Sequence, residues 1–140
     1  MPGQGEHASR DWTGWLYRCL VAAVFIAFGV DKFSGGPNSE WVRIFARIGF
    51  GQWFRVATGA IEIAGAVLYV FPWTLRIGAL LLSCAMLGAI VAHFTYLGDP
   101  FSSIIPAALL AVVIAIGLRD PPVDIRNLMQ AGRERGRSPR

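Results

Sequence analysis

Charge is scarce in this chain of 140 residues, and what there is lies in particular places. Charged residues make up 16% of the sequence, against about a quarter in an ordinary soluble domain. Hydrophobic residues make up 54%, and mean hydropathy is +0.49. Residues 15–30, 56–71, 77–92 and 104–118 hold only two acidic or basic side chains between them, Arg18 and Glu62. That scarcity excludes a soluble globular domain. Cysteine is nearly absent too: Cys19 and Cys84 are far apart and form no C-x-x-C pair, which disfavours thiol–disulfide exchange and leaves buried free thiols as the expectation. Of two histidines, His7 lies in the polar N-terminal stretch and His93 next to an apolar run, so a bis-histidine haem within one chain is excluded. No metal-spaced cluster or nucleophile triad is present. "GGPNSE" lacks the Gly-Lys-Ser/Thr that completes a phosphate-binding loop.

What the chain has instead is four apolar runs, at about 15–33, 54–71, 75–96 and 101–118. Each approaches the ~20 residues that carry a helix across ~30 Å of hydrocarbon. Trp12, Trp15, Trp53, Trp73 and Tyr96 fall near the ends, where amphipathic rings favour the headgroup layer. Lipid offers backbone groups no partner, so the spans must be helical. Short connections then predict an all-α, integral-membrane, antiparallel four-helix bundle. A polar N-terminal tail (1–14) precedes the membrane domain (15–118), and a basic tail (119–140), broken by Pro121-Pro122 and expected to be disordered, follows it.

Four spans put both termini on one side. That side would hold Arg10, Arg18, Arg76, Arg119 and the five arginines from Arg126 to Arg140; the other holds Lys32, Arg43, Arg47 and Arg55. The positive-inside rule therefore predicts cytoplasmic termini. Arg10, Arg18 and the "AFG" at 27–29 resemble a signal peptide, but the run is long for one, and an uncleaved span is expected. In the first outer loop, Trp41, Ile44, Phe45 and Ile48 share one helical face, and Arg43 and Arg47 another. This predicts a short amphipathic helix at the interface, acting as a lid over the bundle mouth rather than as a partner contact. "PWT" at 72–74 and "LGDP" at 97–100 read as turns. Gly88 with Ala92, Ala85 with Ala89, and the row Ala107, Ala111, Ala115 have the spacing that lets helices pack closely.

Glu62, inside an apolar run, poses the functional question, because ionisable groups in a membrane usually face the bundle interior or a wet cavity. Arg55, Thr58, Glu62 and Tyr69 share a stripe on the second helix. Arg76, Ser83, Met86 and His93 do so on the third, and Arg18, Phe25, Gly29 and Lys32 on the first. From the outer boundary, Glu62 lies ~12 Å and His93 ~4–5 Å deep at 1.5 Å per residue. Side chains lean toward their own helix N-terminus, so Glu62, His93 and Lys32 point toward one another. A polar pocket of Glu62, His93, Lys32 and Arg55 is the candidate site, opening outward, with Glu62 paired to His93 or Lys32. Asp31, Thr58 and Arg76 are secondary candidates, and no metal site is expected.

"FIAFGVDKF" (25–33), ending Gly29-x-x-Lys32-Phe33, and "GAIEIAGAVLYVFPWTLRIGALLLSCAML" (59–87), with Gly-x-x-Glu, a proline turn and Arg76, together resemble the DoxX-like family of small bacterial four-helix membrane proteins over residues 15–118. The pattern positions carried over are Gly29, Lys32, Glu62 and Arg76, without catalytic roles. The resemblance implies a redox-associated subunit of the bacterial cytoplasmic membrane that contacts quinone, rather than a self-sufficient enzyme. Expected partners are the lipid bilayer and other membrane or membrane-associated proteins; a second copy of the chain is left open, and nucleic acid is not among them. A non-catalytic scaffold or assembly factor and a proton-coupled small-solute transporter are the competing readings.

Overall fold

The computed structural model describes residues 4–119, with side chains from Trp12 onward. Helix α1 spans Gln4–Phe33, α2 Glu40–Ile48, α3 Gln52–Val70, α4 Leu75–Ala92 and α5 Ile104–Arg119. A π-helical segment, His93–Leu97, extends α4, and a 3-10 turn, Phe101–Ser103, leads into α5. Four of these stretches are long and apolar enough to cross a membrane: Trp12–Phe33, Gln52–Val70, Leu75–Leu97 and Phe101–Arg119. The all-helical, four-span architecture expected from the apolar runs is the one observed. Helix α1 starts at Gln4, within the stretch read as a polar tail. Of the basic tail, everything after Arg119 lies outside the described residues.

Each connection has a local cause. Gly35 takes φ +87°, in the left-handed region that glycine favours. Ser39 then caps α2, its hydroxyl accepting from the Val42 backbone N–H at 3.3 Å. Gly49 ends α2 in the left-handed conformation, its N–H returning to the Phe45 carbonyl. Between α3 and α4, the Thr74 hydroxyl donates to the Leu68 carbonyl at 2.7 Å and closes the Pro72 turn. Between the π segment and α5, Asp99 accepts from the hydroxyl and backbone N–H of Ser102. The Ser102 hydroxyl bond chiefly holds this exposed carboxyl below the usual aspartate range.

Helix α1 packs along α3, α3 along α4 and α4 along α5; α1 and α5 meet only briefly. Backbones approach most closely at glycines. A Cβ on Gly29 would stand 3.0 Å from the Gly59 carbonyl oxygen, and one on Gly59 would stand 3.1 Å from that of Gly29. Of the small residues expected to pack helices, Ala85 does pack against the core, and others do not. Ala107, Ala111 and Ala115 are exposed on α5, and a Cβ on Gly88 would meet nothing within 4 Å. Spacing fixes which residues share a face, and does not fix what that face meets.

The core, from Val21, Ala22 and Phe25 on α1 through Tyr69 and Leu82 to Val113 on α5, fills the half of the bundle remote from α2. Trp12, Trp15, Trp53 and Trp73 are strongly exposed near the ends of the membrane-length stretches, as membrane-interface rings should be. Within the core, the Tyr69 hydroxyl donates to the Val113 carbonyl at 2.9 Å and ties α3 to α5. Tyr69→Phe should cost about 1 kcal/mol, read as a lower thermal midpoint of the detergent-purified protein with its helical content unchanged.

Candidate functional site

In the half of the bundle that carries α2, a cavity of about 690 Å³ takes the place of a core. Its walls come from all five helices: Phe28, Asp31 and Lys32 on α1, Trp41 and Phe45 on α2, Ile61 and Glu62 on α3, Ala85 and Ala89 on α4, and Ile105 and Leu109 on α5. Ligand sites commonly enclose ~300–1,000 Å³ with mostly apolar walls and a few placed polar groups. This cavity has that size and lining.

Its polar centre is an ion pair. Lys32, in the last turn of α1, places Nζ 2.6 Å from Oε2 of Glu62 in α3, and both residues are buried, at 6% and 4% exposure. Taking either charge alone out of water costs several kcal/mol, which the partner at this distance offsets in part. The Trp41 ring of α2 lies over the ammonium, 4.2 Å from Nζ to the ring centroid, a contact that strengthens as water is excluded. The same indole donates its N–H to Oδ2 of Asp31 at 2.7 Å. One tryptophan therefore engages two consecutive residues of α1.

A second set of contacts holds the helices in register around the pair. Arg55 donates through Nη1 to the Lys32 carbonyl, one of the carbonyls that a helix C-terminus leaves without an intrahelical partner. Through Nε it donates to Gln52 at 2.9 Å, and Gln52 donates to the Val42 carbonyl of α2 at 3.1 Å. Edge-to-face contacts of Phe45 with Phe54 (5.8 Å between centroids) and of Phe50 with Phe54 and Tyr96 (5.3 and 6.1 Å) seat α2 and its following loop against α3 and the π segment. The amphipathic face expected of α2 is present: Phe45 and Ile48 are buried, while Arg43 and Arg47 are exposed.

The residues singled out from sequence are placed as follows. Lys32, Glu62, Asp31, Thr58 and His93 line the cavity. Glu62 takes Lys32 rather than His93 as its direct partner. His93 opens the π segment, a helix variant often found at functional sites, and its Nδ1 is buried without a hydrogen-bond partner. Arg55 braces α1 from outside the lining. Arg76 is exposed near the start of α4, at the opposite end of the bundle. Cys84 was expected to be buried; it is exposed and lines the cavity, while Cys19 is half-buried. A cysteine on an apolar helix has no sequence mark that separates a core position from a cavity wall. Spacing assigns Trp41 to the apolar face of α2, and its share in the ion pair shows nowhere in that spacing. Among the described residues no three histidine, cysteine, aspartate or glutamate side chains come together as a metal would require.

A curated protein of Bacillus subtilis (strain 168) named putative oxidoreductase CatD is similar to this chain, 30% identical over 76 residues. The match covers 54% of this chain and 55% of that protein, so the chain spans about half the length of this relative. No solved structure matches. The model of the DoxX-like family matches residues 16–116. With its four membrane-length helices and a match over most of its length, the chain is a multi-pass membrane protein and belongs to the DoxX-like family.

Proposed function

We propose that this protein is a small subunit of a redox assembly in the bacterial cytoplasmic membrane, and that its cavity receives the headgroup of a lipid-soluble quinone-type molecule. The observation that carries the reading is a buried Lys32–Glu62 pair at the wall of a roomy, largely apolar cavity inside the membrane-spanning bundle. An ionisable group at such depth is costly, and it serves function more often than adhesion. The arginine distribution supports cytoplasmic termini, which would put α2 and the cavity on the extracytoplasmic side. The relative named as an oxidoreductase supports the redox association. A transporter reading draws less support: the proline of α5, Pro106, lies at its first turn, not at mid-span where discontinuous transporter helices break.

The test is gentle purification from native membrane, followed by organic extraction and mass spectrometry of bound quinones and identification of co-purifying proteins. The expected result is stoichiometric quinone in the wild type, lost in Glu62→Ala. Gly88→Leu should lose it as well, by filling the cavity from a position with open space around it. Quinone at the level of bulk lipid in the wild type would overturn the proposal.

A further inference from the structure

The cavity has two kinds of edge. At one end α2 forms a roof, held by the Trp41–Asp31 bond, by Gln52 on the Val42 carbonyl and by the Phe45–Phe54 contact. Asp31 and Glu40 line that end, and both are exposed acids. A hydrocarbon chain leaving there would pass a charged rim into water, which is unfavourable.

The flank between α3 and α4 is different. The two helices cross tightly at Gly65 and Gly78: a Cβ on Gly65 would stand 2.9 Å from Leu82 Cδ2, and one on Gly78 would meet the Tyr69 backbone. Counted away from that crossing in an antiparallel pair, Ile61 lies level with the turn from Cys84 to Gly88. There the contact loosens, and a Cβ on Gly88 would meet nothing within 4 Å. Ile61, Cys84 and Gly88 all line the cavity and are all exposed. Cys84 stands at helical spacing from Leu80, Leu87 and Val91, three strongly exposed apolar residues, and shares their face. A residue that belongs both to the cavity wall and to the lipid-facing stripe marks a place where the cavity reaches hydrocarbon. At the edge between α1 and α5 the exposed wall residues are Phe28 and Ile105, both large; on α4 they are a cysteine and a glycine.

We infer that this gap is a window onto the bilayer: the ligand enters sideways from the hydrocarbon layer, and its tail stays in the window, between Ile61 and the Cys84–Gly88 turn, once the headgroup is seated. The ligand class is then an amphiphile with a compact ring and a long hydrocarbon tail, rather than a short soluble ring. The inference rests on the proposed occupancy of this cavity and adds to it the route of entry and the tail. Lipid is as apolar as the window, so the tail supplies little affinity. The window acts by shape, and Ile61 at its edge decides whether a tailed molecule fits.

The test uses the full chain in lipid nanodiscs and two quinones with fully substituted rings, which do not add to thiols. One is tetramethylbenzoquinone; the other is a trimethylbenzoquinone bearing a decyl chain with a diazirine close to the ring. Binding is read as quinone retained above empty nanodiscs, and illumination followed by peptide mass spectrometry locates the adducts. Adducts that excess diazirine-free decyl quinone suppresses are expected on Ile61 and in the segment 84–88. Ile61→Trp narrows the window from an exposed position and should weaken the tailed quinone roughly tenfold while leaving tetramethylbenzoquinone unchanged. Suppressible adducts on Phe28 or Ile105 instead, binding without adducts at the window, or an equal effect of Ile61→Trp on both quinones would overturn the window and leave the occupancy reading standing. No binding of either quinone above empty nanodiscs would overturn both.

Discussion

Lys32→Met should be among the most damaging single substitutions in the chain. It leaves the Glu62 carboxylate buried against apolar walls with its 2.6 Å partner gone. Breaking a buried pair from one side typically costs about 3–5 kcal/mol, and for a chain of this size each kcal/mol moves the thermal midpoint by several degrees. The indole of Trp41 loses its cation as well. The expected result is a detergent-purified protein whose midpoint falls by more than about 10 °C. The double variant Lys32→Met, Glu62→Met removes both charges and should recover most of the loss, since apolar replacement of a whole buried pair is often close to neutral. A single variant as stable as the wild type would show that the pair does not form, and the architecture of the cavity would need rebuilding.

The second large effect is expected at Gly78, and its cause is steric. A Cβ there would stand 2.5 Å from the Tyr69 backbone nitrogen, 2.7 Å from the Gly65 carbonyl oxygen and 2.8 Å from the Tyr69 Cα. All three are backbone atoms, so no rotamer change relieves the clash, and α3 and α4 must separate. Gly78→Ala should cost at least the ~1–3 kcal/mol typical of overpacking, and it should weaken the Tyr69–Val113 bond that depends on the same helix placement. Gly88→Ala, ten residues further along α4, meets nothing within 4 Å and serves as the control. Equal midpoints for the two variants would contradict the close crossing of α3 and α4.

The four spans were legible because long uncharged runs have few alternatives, and the amphipathic face of α2 was legible because Trp41, Ile44, Phe45 and Ile48 recur at helical spacing. Rise per residue placed Glu62 ~12 Å and His93 ~4–5 Å below the outer boundary, and the lean of side chains along their helices pointed them and Lys32 toward one another. Depth carries no information on helix rotation, however, so it could not choose between lysine and histidine as the carboxylate's partner. The π segment escaped notice for a related reason: its wider turn depends on how the chain closes against its neighbours, and "HFTYL" reads as ordinary helix. The small residues of α4 illustrate the same limit. Gly88, Ala85, Ala89 and Ala92 suggested a tight helix contact; all four line the cavity, with Gly88 beside open space, although Ala85 also packs against the core.

That open space beside Gly88 has a consequence for how the molecule can be tuned. A methyl group there would meet nothing within 4 Å and would stiffen a residue that pays heavily in backbone entropy to stay helical. Robustness and capacity are thus opposed at one position. The first added carbon makes the rod firmer and every added carbon makes the chamber smaller, so the calibre of the chamber can be set by substitution along a single helix.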